Sequence, residues 1–300
     1  MTRFDGLSPE EVEAASIEEL EHGRLPVRAQ QRLAMMRADH AFTSDLTVAE
    51  HHAIRSVGFS PVGQVMGSCV YHVGYMGRMS CGYSGWGRWN TDAAQVREAV
   101  SVRQAMYEAR MLAIGRMRQE AAGLGGDGVV AVTLTIEPFP AGGLEFQAIG
   151  TAVRADGEVR PKHPFLSDLT GQDFAKLMRA GWVPCGLTLG LSVTIRHDDW
   201  RTQMQQGSWY NTEITGQTQL VQIARSAARR RMREEAGQAG AAGVVIRTSS
   251  LRVWHQACAN GGDHQHDHLA EAVYIGTAIT PFKRGKERTA AAPLPMLRLS

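Results

Sequence analysis

Apolar positions along the chain follow two periods, and the two alternate. Ala109, Ala113, Met117 and Ala121 recur at every fourth residue, the spacing of one helix face, inside a predicted helix over 92–122. Side chains this small predict a helix lying close on a sheet. Two runs rich in apolar residues follow, 129–136 and 145–153, and the turn Glu-Pro-Phe-Pro-Ala-Gly-Gly between them makes a hairpin. Ahead of the helix, residues 62–73 read as a strand crossed by glycines, which predicts a bulge or a close backbone approach. A short helix comes first: Thr47 and Glu50 have capping-box spacing, and Gly58 is a natural stop.

The whole pattern then occurs again. At an offset of 123 residues, F-x-S-D-L-T at 42–47 lies over 165–170, and G-x-x-P-x-G-x-x-x-G at 58–67 lies over 181–190. At an offset of 115, residues 109–130 lie over 224–245, and Ile-Gly-Thr-Ala at 149–152 recurs at 275–278. Ordered blocks with small changes of offset are the mark of one duplicated unit. The second unit is therefore predicted to hold a strand at 185–195, a helix at 213–238 and strands at 244–255 and 270–279. The expected fold class is α+β: two tandem β-α-β-β units at 41–155 and 165–281, with 156–164 as linker. An N-terminal extension, 1–40, is predicted helical, with capping-box spacing at Ser8/Glu11 and at Ser16/Glu19. A basic, Pro/Ala-rich tail occupies 282–300.

The G-x-x-P-x-G-x-x-x-G strand, the A-R-x-x-A-x-x-R-M-x-x-E-A helix, the G-x-x-G-V-V turn and the closing I-G-T-A resemble the YbjQ-like heavy-metal-binding family, in two tandem copies. The resemblance implies small dodecin-subunit-like domains that associate into pentameric rings, here a homopentamer of two stacked layers. It implies a metal role without a defined ligand set. Duplication and the extra segments at both ends depart from the family pattern.

Composition narrows the function classes. With 32 Lys and Arg against 30 Asp and Glu, the formal charge is +2, so neither a strongly basic nucleic-acid binder nor an acidic tail protein is expected. The scattered Cys69, Cys81, Cys185 and Cys258 include no C-x-x-C pair, which suggests free thiols in a reducing compartment. The polar start has no apolar signal-peptide core, and no run is long enough to span a membrane, so a cytoplasmic protein is expected.

Candidate chemistry is concentrated in the second unit. His255, Cys258, His264, His266 and His268 lie around its last hairpin, with Asp263 and Asp267, and strand alternation puts the last three histidines on one face. Neutral imidazoles with a thiolate suit zinc, nickel or copper(II). The first unit has no histidine in its hairpin, so folding does not require the cluster. A softer set, Cys69, His72, Met76, Met79 and Cys81, is better read as part of an aromatic-rich packing loop. Gly123-x-Gly125-x-x-Gly128 has the form of a dinucleotide fingerprint but follows a helix and opens a strand, so it reads as a helix-ending turn. The arginines at 225–233 read as a solvated or intersubunit face, with Arg116/Glu120 and Arg231/Glu235 as i, i+4 pairs. Arg110 and Arg225 recur beside the alanine stripe and suit a structural ion pair or helix–sheet packing. No nucleophile, phosphate-loop or zinc-protease motif is present, so the expected protein is a non-enzymatic, ring-forming one that binds metal through the hairpin histidines. The alternatives are an oligomeric scaffold without metal, or an enzyme or small-ligand carrier that the motifs do not reveal.

Overall fold

A computed structural model of the chain describes residue 4 and residues 6–38, 43–72, 95–140, 142–158, 160–257 and 266–282, without the side chains of 256, 257 and 266; residue 6 is a glycine. The elements run α1 (Pro9–Glu21), α2 (Val27–Ala38), α3 (Val48–Arg55), β1 (Phe59–Tyr71), β2 (Arg97–Glu98), α4 (Val100–Gly123), β3 (Gly128–Pro138) and β4 (Leu144–Ala155). They continue with β5 (Phe165–Leu166), α5 (Gly171–Arg179), β6 (Trp182–His197), α6 (Trp200–Gln206), α7 (Thr215–Gln238), β7 (Gly243–Ala257) and β8 (His266–Pro281). Among the described residues, no helix is long and apolar enough to cross a membrane.

Local chemistry sets the helix ends. The Thr47 and Ser8 hydroxyls each accept a backbone N–H three residues on, and Glu50 and Glu11 return the bond to the capping residue. Each cap is worth about 1 kcal/mol. The Ser16/Glu19 spacing does not start a helix. Ser16 lies inside α1, where its hydroxyl donates to the Val12 carbonyl at 2.7 Å, because the Ser8 cap has already begun the helix that contains it. Gly58 and Gly125, at φ +82° and +73°, take the left-handed conformation that ends α3 and α4. The glycine fingerprint is thus a helix-ending turn.

The strand order is β1-β4-β3-β5 in one sheet and β2-β6-β8-β7 in the other. Each long helix lies on its sheet through the small-residue stripe. Ala109, Ala113, Met117 and Ala121 are fully buried, and Ala224, Ala228, Met232 and Ala236 are buried likewise. The close approach shows at Gly67 and Gly190, where a Cβ would overlap the Ala113 and Ala228 carbonyls.

The sheets have four strands rather than three because the repeats exchange segments. β5 begins the second repeat, yet it pairs in parallel with β3 of the first. β2 leads into the first repeat's helix, yet it pairs antiparallel with β6 of the second. One continuous core accordingly includes Val65, Met106 and Phe146 together with Leu191, Val193 and Leu269. The polar 156–164 stretch therefore joins two units that also share sheet edges.

The expected i, i+4 pairs are not the partners these glutamates take. Glu120 accepts the Met66 N–H at 2.8 Å and pairs with Arg32 of α2; Glu235 accepts the Leu189 N–H at 2.9 Å. Arg116 and Arg231 donate instead to the Ser68 and Leu191 carbonyls. Strand amides and carbonyls with no ladder neighbour on that side need partners more than a surface ion pair returns, so they capture these side chains.

Candidate functional site

The end of the second sheet carries a buried polar cluster. Register pairs His197 with Asp267 across β6 and β8, and His255 with His268 across β7 and β8. His197 Nδ1 lies 2.8 Å from Asp267 Oδ1, and His268 Nε2 lies 2.9 Å from Asp198 Oδ2. The next residue, Asp199, caps α6 by accepting the Thr202 N–H at 2.9 Å and meets Arg196 at 3.1 Å. Burial alone would raise the Asp199 carboxyl; hydrogen bonds from Thr202 and the charge of Arg196 outweigh it and hold the group below its ordinary range.

The expected metal ligands divide as follows. The His255 and His268 rings lie 6.3 Å apart, centroid to centroid. His266 opens β8 opposite Ala257, while Cys258 and His264 lie outside the described residues. Among the described residues, no three His, Cys, Asp or Glu side chains are disposed to hold a metal ion. His268 is engaged with a carboxylate, so the described side chains do not by themselves form a metal centre. In the first unit, Cys69 is buried and its thiol donates to the Ala109 carbonyl at 3.2 Å. Burial pushes that thiol up, the reverse of what a metal-binding thiolate needs. His72 is exposed, and Met76, Met79 and Cys81 lie outside the described residues. Sequence reading named Asp267 but missed Asp198; the His-Asp-Asp run at 197–199 was the available signal.

A second constellation lies where the repeats meet. Arg110 of α4 reaches across to Glu271 of β8, Nη2 to Oε1 2.7 Å, with both side chains almost fully buried. Arg252 meets the other Glu271 oxygen at 3.1 Å, and Arg110 also donates to the Met106 carbonyl. Burial draws Arg110 below its ordinary range, and Glu271 opposes the shift. The expectation of a structural ion pair at Arg110 holds, with the added fact that it joins the two repeats. Nearby, Arg231 of α7 pairs with Glu98 of β2, and Phe59, Phe165 and Phe174 pack ring on ring across the junction. Together these are the features of an assembly joint.

Comparison with known proteins places the chain in a family and bears unevenly on metal. Residues 96–156 match a family described as "Putative heavy-metal-binding". That stretch contains neither histidine nor cysteine, so the candidate ligands of the second hairpin lie outside it. No solved structure matches at a significant level. The chain is 34% identical over 275 residues to the encapsulin nanocompartment protein Rv1762c of Mycobacterium tuberculosis, an alignment covering 89% of this chain and 96% of that one. Identity at this level over nearly the full length of both chains shows common descent: the protein belongs to the family of that encapsulin nanocompartment protein.

Proposed function

We propose that this protein is a non-enzymatic structural component of an encapsulin nanocompartment, contributing a self-associating block built from two YbjQ-like, dodecin-subunit-like units. The observation that carries the reading is the joint between the repeats. Two sheets that exchange edge strands and share a buried Arg110–Glu271 pair are joined to one another, as an assembly subunit requires. The relationship to a nanocompartment protein over nearly the whole chain supports the same conclusion. Light scattering and electron microscopy of the purified chain test it. A discrete closed oligomer is expected, and a monomer at micromolar concentration overturns the reading.

Metal binding at the second hairpin stands second, favoured by the facing His255 and His268. Zinc or nickel titration of tag-free protein, against a chain with His264, His266 and His268 replaced by Ala, decides it. Uptake lost in that variant and fading below about pH 6 supports a site, since protonated imidazole does not ligate. No heat at high micromolar metal rejects it.

A further inference from the structure

We infer that chains of this protein join head to tail, the free edge of β7 and outer face of α7 in one chain receiving residues 43–48 and the β4 face of the next. This rests on the self-association reading and names the surfaces that carry it. Inside the chain, the start of the second repeat lies on the first repeat's β3 edge. Ser167 donates to the Val129 carbonyl at 2.9 Å, Val132 donates to Ser167 at 3.0 Å and Ala131 to Leu169 at 2.9 Å. Residues 166–169 and 128–130 are all buried by that contact. Their counterparts are more open among the described residues. Thr43 and Asp45 are exposed, and Ser44, Leu46 and residues 243–245 are half-buried. Ile246 and Arg247, next along β7, are exposed, Arg247 reaching back to the Asp168 carbonyl. A groove of about 660 Å³ runs between β7 and α7, lined by Met232, Arg233, Ala236, Val244 and Ile246.

Charge fits the same docking. The counterpart of interfacial Arg110 is Arg225, which stands exposed on α7. The counterpart of Glu271 is Glu145 on β4. Arg252, which also neutralises Glu271, is replaced in the first repeat by Glu137, directly across from Glu145. Two like charges facing each other across strands repel, and among the described residues neither is in an ion pair. Arg225 of a preceding chain supplies the missing cation.

Side-chain size agrees as well. At the internal joint, Gly171 fits against Glu50 and Ile54 of α3, where a Cβ would crowd Glu50. Its counterpart Val48 is larger and 90% exposed, and on the surface it would meet the exposed Asp173 is shorter than Glu50, while Leu177 beneath it is buried.

Sedimentation of the full chain across concentration is the test. Arg225→Glu and Glu145→Arg are each expected to weaken association at least tenfold, and the double variant to regain most of it. Circular dichroism should stay unchanged, because neither side chain is buried. As a structural readout, Thr43→Cys and Val244→Cys chains, mixed and oxidised, should cross-link only one kind to the other. Unaltered association in the single variants, no rescue in the double, no cross-link, or links between like chains overturns the interface while wild-type assembly stands. A wild-type monomer removes both this interface and the self-association reading.

Discussion

The two repeats build the same frame and spend their spare side chains differently. Glu120 and Glu235 hold equivalent strand amides, yet Glu120 is buried and neutralised by Arg32 of α2, while Glu235 is half-buried beside Tyr107 of α4. The first repeat's β3 is covered and its bulge places Ala131 at φ +54°, whereas β7 turns the same bend with no positive φ among its described non-glycine residues. What the repeats share is packing between helix and sheet. What separates them is whether a neighbour is present, and that difference shows which surfaces are joints.

The largest break in the comparison is expected at the equivalent arginines. Arg110→Met leaves the Glu271 charge buried with only the half-exposed Arg252 for company, and should cost about 4 kcal/mol of unfolding free energy. Arg225→Met should change the stability of a dissociated chain by less than about 0.5 kcal/mol. Denaturant titration of both variants checks this, and equal losses would end the distinction. Next come the shared glycines. Gly67→Ala and Gly190→Ala each force a methyl into a helix carbonyl and should cost about 3 kcal/mol alike, while Gly186→Ala, with open space around its Cβ position, should be nearly neutral.

A smaller effect separates the glutamates by pH. Burial pushes Glu235 above its ordinary 4.5, against hydrogen bonds from Leu189 and Tyr107. The folded state then holds that proton more tightly than the unfolded one, so stability falls as pH rises from about 4.5 through the raised value. Glu235→Gln should flatten that slope in melts run from pH 4 to 8, and an unchanged slope would contradict the assignment. The smallest effect is at the bulge. Ala131→Gly relieves a left-handed alanine and should stabilise by about 0.5 kcal/mol, whereas Ile246→Gly should destabilise.

Periodicity and self-comparison made the frame legible, because alanine stripes, capping spacing and helix-ending glycines act locally. The exchanged strands were not legible. β2 and β5 are two residues long, and nothing in Arg97–Glu98 or Phe165–Leu166 says whose sheet they will join. The same limit hid the partners of Glu120 and Glu235, since spacing along a helix cannot reveal a strand amide that needs an acceptor. At the hairpin, the histidines stood out by composition, but the carboxylates that hold His197 and His268 come from strand register, which only pairing fixes.

The exchanged strands also make a statement about arithmetic. A chain that seats its own two units side by side can add only pairs to a closed circle, so any ring extended through the same joint has an even number of units. Five units in a layer, as the family resemblance implied, would require the two halves of a chain to sit in different layers, yet β5 and β2 bind them edge to edge. Strand exchange between the two sheets thus bears on which symmetries such a joint can build.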